Sequence, residues 1–354
     1  LNDQMAQAQS SDPNFPETDF NLLEDSEDAD NHTSDSTATR LSLQFQLDDS
    51  HLGLRIDQVA AIIWSEFSRE KLKQWLKDGH LLVNGNTVKP KYKCEGDELL
   101  TLEVELEAQT RSLPEDIPLN IIYEDDDIIV INKPVGMVVH PGAGNSSGTL
   151  VNALLHHYPK SAELTRAGLV HRIDKDTSGL LVVAKNLEAQ FALTKQLAKK
   201  SVYRLYDLVV YGNMIAGGTV DEPIKRHPVD RVKMAVLPGG KDAVTHYNVK
   251  ERFQHFTRVQ ARLETGRTHQ IRVHLSYIGY GLVGDPVYSP RVRVPAGASV
   301  LLNDTLRNFK RQALHAVKLG LVHPRTQEEM MFEAPWPEDF KQLVDVLRSE
   351  NAAY

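Results

Sequence analysis

The sequence predicts an α+β protein in which a mixed, mostly antiparallel sheet is flanked by helices and loops and preceded by a small helix-and-hairpin module. Three observations predict it. After about residue 119, strand-length apolar runs recur without the strand–helix alternation of a parallel, doubly wound sheet. Residues 45–107 press two helical patterns, a tight-turn signal and a closing strand into one short unit. Near Leu41 the composition changes abruptly, setting an acidic leader apart from everything after it.

The leader comes first. The chain carries −8 over 354 residues. Residues 1–40 hold ten acids against Arg40 alone, a net −9, which leaves +1 for the remaining 314. Rich in Ser, Asn, Asp and Gln and without apolar periodicity, residues 1–44 are expected to be disordered. The start, "LNDQMAQAQS", has neither the basic nor the apolar region of a secretory signal. Its first residue is Leu, which a non-standard start codon or a truncated start would equally explain. No apolar run approaches membrane-spanning length. Cys94 is the single cysteine, so no internal disulfide can form. A cytoplasmic protein is expected.

In the module at 45–107, "LSLQFQLDD" alternates like a strand. "LRIDQVAAIIWSEF" sets Leu54, Ile56, Val59, Ala60, Ile63 and Phe67 at helical spacing. "SREKLKQWLKDG" reads as a second helix, with Ser68 as N-cap and Gly79 just past its end. "HLLVNGNTVK" reads as two short strands around Asn84-Gly85, a type I′ turn signal, and "DELLTLEVEL" as a further strand. Seven bases, Arg69, Lys71, Lys73, Lys77, Lys89, Lys91 and Lys93, stand between Ser68 and Lys93 against Glu70 and Asp78. That excess of +5 suits a phosphate backbone, and a solvated helix face is the plainer alternative.

Residues 108–118 read as a linker, 119–345 as a larger domain and 346–354 as a tail. "IIYEDDDIIVINKP" gives strand, acidic turn and strand, stopped by Pro134. "GTLVNALLHHYP" is helix-like, "GLLVVAKN" a strand, and "LEAQFALTKQLAKK" a helix with Lys195, Lys199 and Lys200 near its C-terminus. "VYRLYDLVVYG" and "FTRVQARLETG" read as strands and "THQIRVHLSYIG" as an amphipathic helix.

Several familiar chemistries do not fit. "HPGAGNSSGT" lacks the Lys of a nucleotide-binding loop, and Gly142 and Gly148 are wrongly spaced for one. It is expected to shape a pocket rim. His156 and His157 have no third metal ligand at helical spacing, and no HExxH or paired CxxC occurs. "EDDD" at 124–127 reads as a turn in preference to a magnesium site. Within "GRTHQIRVH", His269 and His274 do not share a helical face well. Neither metal nor cofactor is expected. What remains is "HRIDKDTSGLLVVAKN", 171–186, where His171, Arg172, Asp174, Lys175 and Asp176 precede an apolar strand. Charges are expensive to bury unless paired, and a buried Asp stays ionised only beside an opposite charge. "RTHQIR" could supply that charge. The pattern alone leaves a sheet-stapling salt bridge and a catalytic carboxylate equally open.

This block resembles the HRxDxxTSGLL signature of the RluA-type RNA pseudouridine synthases. "YDLVVYG" and "LETGRTHQIRVHL" follow in family order. The flanks "EDDDIIVINKPVGMVVHPG", "GTVDEPI" and "VGDPVY" match as well, so the likeness runs from Leu119 to Val344. The module before it is similar to the S4 RNA-binding domain on "LRIDQVA", "SREKLKQWLKDGHLLVNG" and "VKPKYKCEGDEL". The resemblance implies the pseudouridine synthase fold and isomerisation of uridine in RNA without a cofactor. Nearest to members acting on the large ribosomal subunit, it implies several uridines of one 23S rRNA stem-loop at the subunit interface. The partner is then 23S rRNA, in the large subunit or its precursor, with a role in assembly, and the protein is expected to be a monomer.

Roles follow by the same resemblance. Asp174 is the catalytic carboxylate, by attack or by removing a ribose proton. Tyr206, in preference to Tyr203, stacks on uracil and relays the C5 proton. Arg272 pairs with Asp174, and Ile271 packs against the base. Arg172 enters the RNA when the target base is flipped out, and His171 supports that loop. Asp176, two residues past Asp174, reads as structural. The module's basic residues would hold neighbouring rRNA. Two alternatives are a tRNA synthase of the same chemistry and a non-catalytic RNA-binding assembly factor.

Overall fold

The computed structural model describes residues 39–64, 67, 69–106, 112–142, 145–230 and 232–352. The expected disorder of the leader up to residue 38, the Ser68 cap and linker residues 108–111 lie outside the described residues. The chain divides between Arg111 and Ser112 into two compact units, each described by itself.

The first unit holds strand β1 (Thr39–Gln46), helices α1 (Ile56–Ile63) and α2 (Arg69–Asp78), and strands β2 (Leu81–Val83) and β3 (Leu99–Leu106). The sheet order is β1-β3-β2. Ile56, Val59, Leu72, Leu76, Leu81 and Leu100 form its buried core. Gly79 has φ +77°, and His80 N–H reaches the Trp75 carbonyl at 2.9 Å, closing α2 with a left-handed residue. Asn84 and Gly85 both have positive φ, as a type I′ turn needs. The second strand expected after that turn does not form, and only Asn86 bridges back to Val83. The following backbone bonds to the start of α1 instead: Ile56 N–H to Tyr92 O at 2.8 Å, and Cys94 N–H to Leu54 O at 2.9 Å. The 1–44 leader boundary also needs correcting. β1 already pairs with β3 at Thr39, because β3 offers an edge long enough to order those residues.

The second unit holds β4 (Ile121–Glu124), β5 (Ile128–Lys133), α3 (Leu150–His157), β6 (Ser178–Ala184), α4 (Leu187–Ala198), β7 (Tyr203–Tyr211), β8 (Gly218–Asp221), β9 (Ile224–Arg226), β10 (Met234–Val236), β11 (Val244–Arg252), β12 (Phe256–Leu263), α5 (Gln270–Tyr277), α6 (Val300–Asn308), β13 (Leu314–Val322), β14 (Glu329–Glu333) and α7 (Glu338–Ala352). The main sheet runs β4-β5-β6-β13-β7-β12-β11-β8, with β14 on β13, and β9 pairs β10 separately. β6–β13 is parallel and the other pairs are antiparallel. The sheet is thus mixed and mostly antiparallel, as the sequence predicts.

All seven residues of β6 are buried, which explains its unbroken apolar run. Thr149 caps α3 in a reciprocal box with Asn152, so the end of "HPGAGNSSGT" serves a helix start. α7 runs past the predicted tail boundary at 345/346, because Val346 and Leu347 pack with Phe340 and Leu343.

Gly179 opens the β6 register with φ +112°, and a Cβ there would fall on the Ala316 carbonyl of β13. Gly179→Ala is expected to destabilise the protein by about 3 kcal/mol or more, because the backbone it meets cannot move aside cheaply. Urea unfolding of the purified variant checks this.

Candidate active site

β6 presents the preceding loop at its entry. Beside it stand β7 and the turn that leads from β12 into α5. The three supply one cavity, with Arg172, Ile173 and Asp174 from the loop, Arg204 and Tyr206 from β7, and Leu263 and Gly266 to Arg272 from the strand end, turn and helix.

The loop is held from beneath. Lys133, at the end of β5, is fully buried. Its Nζ donates to the carbonyls of Pro134, Met137 and Lys175 at 2.8, 2.9 and 2.9 Å. Burial pulls its pKa down to about 7, against the pull of Asp174 and Asp176. Three acceptors for three protons suit the charged form. His171 is also buried, at 7% exposure, and its Nε2 accepts the Val182 N–H of β6 at 3.0 Å. Burial, with some help from Arg204, pushes its pKa down to about 3. The structure places His171 under the loop and outside the cavity lining. Its Nε2 is occupied by the β6 backbone.

Above this support, Asp174 faces the cavity with an 18% exposed side chain. Arg272 Nη1 donates to its Oδ2 at 2.9 Å. Burial alone would raise the Asp174 pKa. His269, Arg272 and Arg172 outweigh it, so the carboxyl lies below its ordinary range and stays ionised. Burial also lowers the His269 pKa, which leaves Arg272 as the lasting charge in contact. Arg272 is fixed from behind: its Nε and Nη2 donate to Asp285 at 2.7 and 3.0 Å. Asp285 is wholly buried and takes the Val287 and Tyr288 N–H groups as well. The guanidinium lies 5.1 Å from the Tyr288 ring centre, and the Tyr288 hydroxyl pairs with His269 Nδ1 at 2.9 Å.

Tyr206 lines the cavity and is 6% exposed, and burial raises its pKa, keeping the phenol protonated. Ile271, 4% exposed, forms part of the wall. Arg172 is exposed at the rim. Tyr203 and Asp176 do not line the cavity, nor do the described residues of 140–149, so the pocket-rim reading of that glycine loop is not met.

Carboxylates of the turn at 124–127 have side-chain partners of their own. Glu124 pairs with Lys185 and His157, Asp125 with His323, and Asp127 with Arg325.

In the first unit, Lys77, Lys89, Lys91 and Lys93 are exposed. Arg69 instead joins Arg55 in clamping the buried Asp57, Lys73 pairs with Glu70, and Lys71 lies over the Trp75 ring. Sequence reasoning missed Asp285 and Lys133, although "VGDPVY" and "INKP" lie in stretches that matched the family.

Comparison with known proteins follows the same division. The family model "RNA pseudouridylate synthase" matches residues 127–277, and the "S4 domain" model matches 54–100. The chain is similar to "Ribosomal large subunit pseudouridine synthase D" of Vibrio parahaemolyticus, at 54% identity over 90% of this chain and 98% of that protein. It is likewise 52% identical to the protein of that name from Escherichia coli, over 88% of this chain and 96% of the relative. Among solved structures, "Human RNA Pseudouridylate Synthase Domain Containing 4" has a TM-score of 0.51 at 27% identity, covering 65% of this chain and 93% of that one.

His171 gives the loop a pH signature. Its folded pKa of about 3 lies below its ordinary 6.5. Between those values the unfolded chain binds the extra proton, so stability falls as pH falls through that window. From pH 7 to pH 5 the native chain should lose up to about 2 kcal/mol more than His171→Gln. Urea midpoints at the two pH values, for both proteins, check this.

Proposed function

The chain belongs to the RNA pseudouridylate synthase family, and we propose that Asp174, Tyr206 and Arg272 carry its reaction on uridines in one stem-loop of 23S ribosomal RNA. The enzyme is an isomerase acting on RNA. One observation carries the assignment of residues: the cavity holds an ionised carboxylate, gripped by a buried guanidinium, beside a buried tyrosine.

The N1–C1′ bond of uridine breaks, the uracil turns, and C5 bonds to C1′. No oxidation state changes. Asp174 acts on the ribose, by attack at C1′ or by taking a ribose proton. Arg272 keeps it charged and aimed. Tyr206 offers a ring to stack on uracil and a hydroxyl to relay the C5 proton. Ile271 packs against the base. A base inside RNA must leave its stack to reach Asp174, and Arg172 at the rim is placed to fill the gap.

The S4 unit docks neighbouring rRNA through Lys77, Lys89, Lys91 and Lys93, whose side chains are exposed. Lys71, Lys73 and Arg69 contribute as far as their local partners release them. In this reading the module of 45–107 docks, the linker of 108–118 joins, and 119–345 isomerises. The protein works in the cytoplasm, as a monomer, on the large subunit or its precursor, and supports subunit assembly. The relatives' names favour the large ribosomal subunit over tRNA.

Asp174→Asn should abolish pseudouridine formation while 23S rRNA binding stays within about threefold of the native value. Pseudouridine mapping of rRNA from cells lacking the protein, complemented with either form, checks both the residue and the substrate. Modified rRNA in the knockout, or restoration by Asp174→Asn, would count against the reading. Asp285→Asn should lower kcat about 10²-fold by loosening Arg272, a positional loss visible in single-turnover kinetics.

A further inference from the structure

Arg204 is a buried cation that the roles above leave unused. It stands on β7 two residues before Tyr206, so both side chains leave the same face of the strand. It is 6% exposed and lines the same cavity. Its Nη2 donates to the Glu264 carbonyl at 3.0 Å, while Nε is enclosed with no acceptor. Among the described residues it has no carboxylate partner. The other two buried arginines do have carboxylate partners, Arg272 in Asp174 and Asp285, and Arg311 in Asp339. An unpaired buried charge costs several kcal/mol. Burial lowers the Arg204 pKa accordingly. Gly266 makes room for the group, since a Cβ there would stand 2.8 Å from Arg204 Nη1.

We propose that Arg204 contacts the flipped-out uracil and stabilises the negative charge that the ring carries once its bond to the ribose is broken. The inference rests on the isomerase reading above. When N1–C1′ breaks, the bonding pair stays with N1 and spreads to O2 and O4 of the ring. The ribose carbon is taken by Asp174, or Asp174 removes a ribose proton and later returns it. The anion lasts until C5 bonds to C1′. C5 then gives up its proton, N1 gains one, and the ring is neutral again. A fixed guanidinium in a site shielded from water stabilises such a charge more strongly than water does. Unpaired in the free protein and paired in the reacting complex, it favours the transition state over the ground state.

The test compares the native protein with Arg204→Met and Arg204→Lys on a 23S stem-loop RNA, by single-turnover pseudouridine formation at saturating RNA. The same RNA is also made with 2-thiouridine or 4-thiouridine at the target, since sulfur accepts hydrogen bonds poorly. Arg204→Met should be slower by about 10²- to 10³-fold, with RNA affinity within about threefold and partial recovery in Arg204→Lys. The native-to-variant rate ratio should shrink at least about tenfold on one of the two thio substrates. A ratio unchanged across all three RNAs, or Arg204→Met within about threefold of native, overturns the proposal. If Arg204→Met does not fold, the ratio is read with Arg204→Lys by the same criterion. A native protein that isomerises no uridine overturns the functional reading itself, which is a different result.

Discussion

One guanidinium between two carboxylates holds the site together. Arg272 gives Nε and Nη2 to the fully buried Asp285 and keeps Nη1 for Asp174. A buried ion pair is a weak source of stability, because desolvation consumes most of the attraction. Its return here is position. Asp285 has its own backbone donors at Val287 and Tyr288, so the fork on Arg272 cannot swing. Asp174 then meets a charge whose place is set by the chain on the far side of α5. Losing Asp285 would leave Arg272 buried and half-paired, with Asp174 as its one remaining anchor.

The loop carrying Asp174 obeys a second constraint. It enters a strand with no exposed residue, so the polar groups beneath it need partners inside the protein. Lys133 collects three carbonyls, the Lys175 carbonyl next to Asp174 among them. His171 takes the Val182 amide of β6, past the short β13 pairing at Ser178 and Gly179. The loop is thereby pinned by cation and imidazole below and free to present its acid above. Preorganisation of this kind has its use in chemistry, where a misplaced carboxylate loses more rate than a weakened fold would.

Much of this was legible beforehand, and what was not shares a cause. Leu180 to Ala184 announced a buried strand because burial on both faces needs an unbroken apolar run. Asp174 and Arg272 were legible through motif resemblance, while pattern alone left salt bridge and catalyst balanced. The geometry shows the bridge, and since the bridge helps keep the acid ionised it does not compete with the proposed catalytic role. Lys133 was hidden because its partners are carbonyls, which every residue has and no motif marks. Asp285 was hidden because nothing local ties it to an arginine thirteen residues earlier. Counting bases did not reveal that Arg69 also pairs with Asp57, a carboxylate buried at the start of α1. The leader boundary fell late because acidic composition masked the alternation of "TRLSLQFQ", which only the β3 edge makes into a strand.

Charge at the cavity explains how an acidic protein can serve a polyanion. The net −8 belongs to the leader. Around the cavity stand Arg172, Arg204, Lys241, Arg267 and Arg272, and Asp174 is the one carboxylate in the lining among the described residues. A lone carboxylate in such a ring does not repel phosphate, because the cations set the local field. Two of these cations, Arg272 and Arg172, together with His269, hold the Asp174 carboxyl below its ordinary range against the opposing pull of burial. Attracting a polyanion and keeping Asp174 ionised are therefore served by one electrostatic arrangement. Neutralising Arg172 at the rim would act on both, through weaker attraction of a polyanion and a higher Asp174 pKa, whereas a change behind Arg272 would act on the setting of the carboxylate alone.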